Sequence, residues 1–307
     1  MPIGVSQVFH VHVNCSDLER SLGFYRDLLG LTASTHTRPE APQDGAAFGL
    51  DRAQWDAWIL HDERGFGAGM VVDLLEWQVP RPTGRPNGAA DLGFNRLGFY
   101  VADLDAVYTR MVAAGVRTFG APHVTVVEGS DPIRTVVVED PDGMLVELVG
   151  VGIDRVGFVA IGTADLARSR AFYEDVLGFR PMFDRAPTRQ PGDQLGLDGE
   201  IEVTAAYYDD PRGEGAVMVE LVELLDPGPA GRGGPASGHA NQLGMFRMAL
   251  LTDDIDRDHA DLVARGVRCL TPPAHLEMGP GIPPLRALMF FDPDGTVLEL
   301  IEPPAST

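Results

Sequence analysis

Short runs that alternate apolar and polar residues recur along the chain, and each leads into a segment with helical spacing. "VFHVHVN" (8–14), "RLGFYVA" (96–102), "VGFVAIG" (156–162) and "FRMALLT" (246–252) read as strands. Side chains alternate across a strand, so His10, His12 and Asn14 are expected on one face and Phe9, Val11 and Val13 on the other. Downstream, Leu18, Leu22, Tyr25 and Leu29 recur at helical spacing and predict a buried stripe. Ser16 and Glu19 fit a capping box at the start of that helix. Gly30 suits its left-handed end. Three further strands separated by turns follow each helix. In two cases the last turn is "DPDG", where proline presets one turn angle and glycine accepts positive φ.

The pattern is a duplication inside a duplication. "SDLERSLGFYRDLLGL" (16–31) matches "ADLARSRAFYEDVLGF" (164–179), 148 positions on. "ADLDAVYTRMVAAGVR" (102–117) matches "DDIDRDHADLVARGVR" (253–268), 151 positions on. The chain therefore reads as modules A, B, A′ and B′, joined by proline- and glycine-rich connectors at 79–93 and 226–244. Strand, helix and three strands, repeated in each module, predict an α+β protein with small curved sheets. A length of 307 residues suits two domains, here expected at 1–150 (A with B) and 151–307 (A′ with B′).

Composition narrows the function classes. The net charge is −21, which argues against nucleic acid. Two cysteines, Cys15 and Cys269, cannot build a disulfide framework or a thiolate cluster. No window approaches a membrane span of ~18 apolar residues, and "MPIGVSQVFH" lacks the basic and apolar regions of a signal peptide, so a cytoplasmic protein is expected. A homodimer is left open. No nucleophile elbow, phosphate loop or dinucleotide fingerprint is present.

"DLERSLGFYRDLLG", "DLARSRAFYEDVLG" and the two "DPDG…VEL/LEL" endings resemble the vicinal oxygen chelate superfamily of glyoxalases, bleomycin-resistance proteins and extradiol dioxygenases. The resemblance covers essentially the whole chain. It implies four βαβββ modules forming two half-open barrels. It also implies that metal-binding members take ligands from the first and last strands of the modules. Those positions are His10, Asp73, Arg96 and Glu147 in the first half, and Phe158, Glu220, Arg247 and Glu299 in the second. The implied metal ligands are His10, Asp73 and Glu147, holding one divalent Fe, Zn, Mn or Ni, with none in the second barrel because Phe158 cannot coordinate. Arg96 and Arg247 stand where a histidine is wanted. The alternative is an ion-pair cluster in which the guanidinium takes the metal's place between carboxylates. The resemblance implies action on a small organic molecule, by an isomerase, lyase or oxygenase, with Glu147, His12 and Arg96 as catalytic groups. The rival is a metal-free protein that binds a drug-like compound. Trp55, Trp58 and Trp77 suit an aromatic pocket wall or ordinary core packing.

Overall fold

The computed structural model describes residues 1–125, 132–215, 217–231, 233–234 and 239–303. Module A contains β1 (Val5–Asn14), α1 (Leu18–Leu22), β2 (Thr32–Thr37), β3 (Gln43–Asp44), β4 (Arg52–His61) and β5 (Val71–Val79). Module B contains β6 (Gly93–Val101), α2 (Leu104–Ala113), β7 (His123–Thr125), β8 (Ile133–Glu139) and β9 (Leu145–Gly150). Module A′ contains β10 (Arg155–Gly162), α3 (Leu166–Ala171), β11 (Arg180–Pro191), β12 (Glu200–Asp209) and β13 (Met218–Asp226). Module B′ contains β14 (Gly244–Thr252), α4 (Ile255–Ala264), β15 (Ala274–Leu276), β16 (Leu285–Phe291) and β17 (Val297–Glu302). The four-module α+β fold with two curled sheets is therefore present. Among the described residues no helix is long and apolar enough to cross a membrane.

Helix α1 starts one residue later than a capping box at Ser16 predicts. Asp17 is the N-cap, and its carboxylate accepts from the Arg20 amide. Ser16 instead gives its amide and hydroxyl to Asp142 of module B, at 2.9 and 2.5 Å. The helix then widens into a π-turn over Gly23–Leu28, where Leu29 N donates to Phe24 O. The extra residue brings both Phe24 and Tyr25 to the buried side. Gly30 ends the helix at φ +81°, as its position in the sequence suggested.

The sheets are not assembled as the halves of the chain suggest. One runs β15-β16-β17-β14-β1-β5-β4-β2, with β1 antiparallel to β14. The other runs β11-β12-β13-β10-β6-β9-β8-β7, with β10 antiparallel to β6. Module A therefore shares a sheet with B′, and A′ with B. The expected barrels at 1–150 and 151–307 are corrected accordingly: each sheet draws on both halves. The physical reason lies in how A meets B. Tyr25 donates to Asp140 at 2.9 Å and Arg20 to Asp142 at 2.6 Å, so the "DPDG" turn of B clamps the helix of A. The second turn repeats this, with Tyr173 on Asp292 and Thr163 on Asp294. These clamps hold A and B back to back, in different layers. One continuous apolar cluster, including Val11, Tyr25, Phe99, Val146, Val159 and Leu300, fills the space between the layers. The open edges of β1 and β6 then face away from each other, and each pairs with its counterpart from the other half of the chain.

Candidate functional site

The concave face of the A–B′ sheet encloses a cavity of about 380 Å³. Its walls are apolar, with Trp55, Leu75, Leu276 and Ala287 from the sheet, Phe48 from the turn before β4, and Met278 and Ile282 from the segment that follows β15. That segment is docked on module A. Arg38 N donates to Met278 O, and Gln43 and Glu277 exchange hydrogen bonds at 2.9 Å each way. Gly279 takes φ +112° here with a Cβ direction only 2.6 Å from Arg38 O, so no other residue fits the approach.

The polar end of the cavity holds His10, Asp73, Arg247 and Glu299, all buried. Strand register explains the convergence. His12 is level with Asp73 on β5 and with Arg247 on β14, and Ala249 is level with Glu299 on β17. Arg247 Nε donates to Glu299 Oε2 at 2.7 Å, and its Nη2 is 3.7 Å from Asp73 Oδ2. His10 Nε2 lies 3.5 Å from Glu299 Oε2 and 3.9 Å from Asp73 Oδ2, too far for good hydrogen bonds. Both ring nitrogens of His10, Asp73 Oδ1 and Arg247 Nη1 are buried without a hydrogen-bond partner. Burial alone would raise the Glu299 carboxyl. The Arg247 guanidinium and the His10 imidazole outweigh it and hold the group below its ordinary range. Asp73 behaves alike: burial pushes it up, but His12, His10 and Arg247 bring it well below the usual carboxylate range.

His12 is not on the cavity wall. It stands behind Asp73 with no exposed surface, its Nδ1 2.9 Å from Asp73 Oδ2. Burial first, and then the Arg247 charge, pull its imidazole below the ordinary value. Phe9, placed by strict alternation on the opposite face from His10, lines the cavity as well. A bulge between Val8 and His10 turns both side chains inward.

Arg96 and Glu147, expected beside His10, lie in the other sheet. There Arg96 donates to Glu147 Oε2 at 2.6 Å and to Glu220 Oε2 at 2.5 Å. Tyr207 Oη donates to the remaining oxygen of Glu220 at 3.0 Å. Phe158 occupies the place that His10 holds in the first sheet and packs against Gly98, where an added Cβ would sit 2.0 Å from its ring. The two carboxylates hold the Arg96 guanidinium protonated against the cost of burial. Burial raises the Glu147 carboxyl, although Arg96 opposes the shift. This second cluster is an ion-pair network packed under an aromatic ring. The residues that reasoning by halves missed at the first site, Arg247 and Glu299, carried the right signal but were assigned to the wrong partner module. Of the tryptophans, Trp55 lines the cavity, Trp77 is buried behind it, and Trp58 stacks on His36 elsewhere, with 4.5 Å between ring centroids.

The first cluster does not suit a divalent metal. A cation held by Asp73 and Glu299 would sit where the Arg247 guanidinium sits, and two cations at that separation repel strongly. Among the described residues no group of three or more His, Cys, Asp and Glu side chains is arranged to hold a metal ion. The implied set of His10, Asp73 and Glu147 is not brought together, because Glu147 belongs to the other sheet.

The chain is similar to several known proteins and solved structures. Uncharacterized protein YaeR of Escherichia coli (strain K12) is 26% identical over 146 residues, covering 48% of this chain and 97% of that protein. Glyoxalase I from Zea mays superposes with a TM-score of 0.67 at 20% identity, covering 97% of this chain and 92% of that one. A putative dioxygenase from Bacillus subtilis subsp. subtilis str. 168 gives 0.61 at 15% identity, covering 98% and 86%. The family model for the Glyoxalase/Bleomycin resistance protein/Dioxygenase superfamily matches residues 7–148 and again 155–300. With both repeats matched and four βαβββ modules in two curled sheets, this chain belongs to the glyoxalase/bleomycin resistance protein/dioxygenase superfamily.

Proposed function

We propose that the chain is a metal-independent enzyme that moves a proton on a small, largely apolar molecule bearing one carbonyl or similar oxygen, bound in the A–B′ cavity. The observation that carries this reading is the set of partnerless atoms at the closed end: His10 Nδ1 and Nε2, Asp73 Oδ1 and Arg247 Nη1. Buried polar groups left unpaired cost roughly 1–3 kcal/mol each, and a ligand's polar head removes that cost. Arg247 Nη1–H donates to the substrate oxygen and balances negative charge as it develops there. His10 takes the proton from the adjacent carbon, and the C–H electron pair becomes the enolate π bond. Return of that proton to a neighbouring atom gives an isomerase. Loss of a β-substituent gives a lyase.

The test is exchange of α-protons for deuterium in aryl alkyl ketones, followed by NMR with chelator-treated protein. Exchange that survives chelation and falls at least about 100-fold in both His10→Ala and Arg247→Met supports the proposal. Exchange that is lost on chelation and restored by a divalent metal overturns it. Saturable quenching of the cavity tryptophan Trp55 with no exchange also overturns it, in favour of a binding protein.

A further inference from the structure

The mouth of the cavity is built from both halves of the chain. Phe9 on β1 and Phe66 on the turn between β4 and β5 line it, with their rings edge to face and 5.2 Å between centroids. Phe66 stands between Gly65 at φ +77° and Gly67 at φ +91°, and it is 57% exposed. The ring contact is not all that holds this turn. Arg212, from the turn between β12 and β13, donates from Nη1 to Gly67 O at 3.3 Å. Its Nε and Nη2 donate to Asp210 Oδ2 at 3.1 and 3.0 Å. Asp210 has no exposed surface, and its Oδ2 also accepts from Val8 N at 3.2 Å. Val8 opens the bulge that turns Phe9 inward. One ion pair from the second half thus grips both segments that carry the aromatic rings.

The duplication separates this brace from the rings. "DERGFGAGM" (62–70) is matched by "DPRGEGAVM" (210–218), 148 positions on. The brace is present in both copies. Asp62 Oδ2 accepts from Val156 N at 3.0 Å, at the equivalent bulge of β10, and Arg64 pairs with Asp62. The rings are present in one copy: Gly157 and Glu214 stand at the positions of Phe9 and Phe66. The turn therefore folds and ties the two layers together without them. Bracing accounts for Asp210 and Arg212 but not for two aromatic side chains at a cavity mouth, one of them more than half exposed.

We propose that Phe9 and Phe66 form a subsite for an aromatic ring of the ligand, and that Asp210 and Arg212 are its positioning residues. Aromatic rings meet edge to face or offset, with centroids ~4.5–7 Å apart. A ligand ring set against Phe9 and Phe66 covers apolar surface of Phe66 that otherwise faces water. The His10 ring centroid lies 5.2 Å from that of Phe9, so a ring seated against Phe9 lies beside the polar end of the cavity. The oxygen-bearing carbon that meets His10 and Arg247 is then attached to the ring directly or through one further carbon. The ligand class is an aryl ketone or a close relative. Arg212 suits the positioning role because its planar fork reaches Asp210 and Gly67 O at once. An ammonium is a point charge and cannot keep both contacts.

The subsite rests on the A–B′ cavity being the ligand site, as proposed above, but not on proton transfer, and binding alone tests it. Full-length protein is titrated with acetophenone and with cyclohexyl methyl ketone, which carries the same carbonyl group on a saturated ring. Dissociation constants are read from amide chemical shifts. Acetophenone is expected to bind roughly 5-fold tighter. Phe66→Leu, at an exposed turn, is expected to abolish that preference while changing the affinity for the cyclohexyl ketone less than about 2-fold. Arg212→Lys keeps the charge beside Asp210 and is expected to lose at least about half of the preference. A role in stability alone would weaken both ketones in proportion, and an intact preference in Arg212→Lys overturns the positioning role. Equal binding of the two ketones, a preference that survives Phe66→Leu, or no saturable binding of either overturns the subsite. A protein that shows the preference but no deuterium exchange supports the subsite and overturns only the proton-transfer reading.

Discussion

The two sheets carry the same constellation at their centres, an arginine between two carboxylates, but differ in what stands over it. At the first, Arg247 meets Glu299 and Asp73. At the second, Arg96 meets Glu147 and Glu220. Two of the differences bear directly on the surroundings of the arginine. Phe158 stands in place of His10 and fills the space above the arginine, 5.8 Å from ring centroid to guanidinium carbon. Tyr207 stands in place of Ile59, level with Glu220 as Ile59 is level with Asp73, and its hydroxyl takes the oxygen that Asp73 leaves unpaired. The comparison teaches that an arginine between carboxylates is by itself a structural element. What makes a candidate site is the polar atom left without a partner beside open apolar space.

The most severe break of this comparison is expected from Phe158→Ala and Arg96→Leu. The first empties a packed aromatic site, and about 3–5 kcal/mol of stability is expected to be lost in denaturant unfolding. The second strands the buried Glu220 and the half-buried Glu147, with a loss of similar size, about 3–5 kcal/mol. His10→Ala, at the position equivalent to Phe158, is expected to cost less than about 1 kcal/mol, because its ring nitrogens make no hydrogen bond and it borders a cavity. Equal losses for His10→Ala and Phe158→Ala would contradict the difference in packing between the two positions.

A smaller effect concerns what the two halves share. Burial pushes the carboxyls of Asp140 and Asp292 up to about 6. A group whose folded value is raised binds its proton more tightly in the native state. Its contribution to stability is therefore complete below its unfolded value near ~4 and is lost as pH rises through about 6. Unfolding measured between those values is expected to show stability falling with pH from both clamps alike. Asp140→Asn and Asp292→Asn should each remove about half of that slope. A slope removed entirely by one variant would show that the clamps are not equivalent.

The smallest effect is local to the cavity cover. Gln43→Ala removes the pair of hydrogen bonds to Glu277, at a global cost of about 1 kcal/mol or less. Hydrogen exchange of the amides around Glu277–Gly279 should quicken, while β1 and β14 keep their protection. No change at 277–279 would mean that the Arg38–Met278 bond alone holds the cover.

Much of this was legible from the chain. Apolar periodicity and the doubled repeats located the first strands and helices of all four modules. Parity along β1 placed His10, His12 and Asn14 on one face. The carboxylates and arginines were identified one by one, including their tendency to satisfy one another. The errors were of a different kind. Glu147 and Arg96 were grouped with His10 because they are near in sequence, whereas β1 pairs with β14. Strict alternation placed Phe9 outside, because a bulge leaves no mark on an apolar-polar pattern. His12 was expected among the catalytic groups, yet it does not line the cavity. Its burial behind Asp73 depends on Asn14, Trp77 and two carbonyls from the connector before β14.

The sequence by itself determined the local units, because period, caps and turn residues act within some twenty positions and each module carries its own copy. It also determined which chemical groups each module brings to its concave face. Only the tertiary structure decided which modules meet. Duplication makes the open edges of β1, β6, β10 and β14 nearly equivalent, so no edge names its partner. The choice follows from the back-to-back clamps at Asp140, Asp142, Asp292 and Asp294 and from the common core they close. Through that choice His10 meets Arg247 and Glu299 at one end of a cavity, while Arg96 lies beneath Phe158.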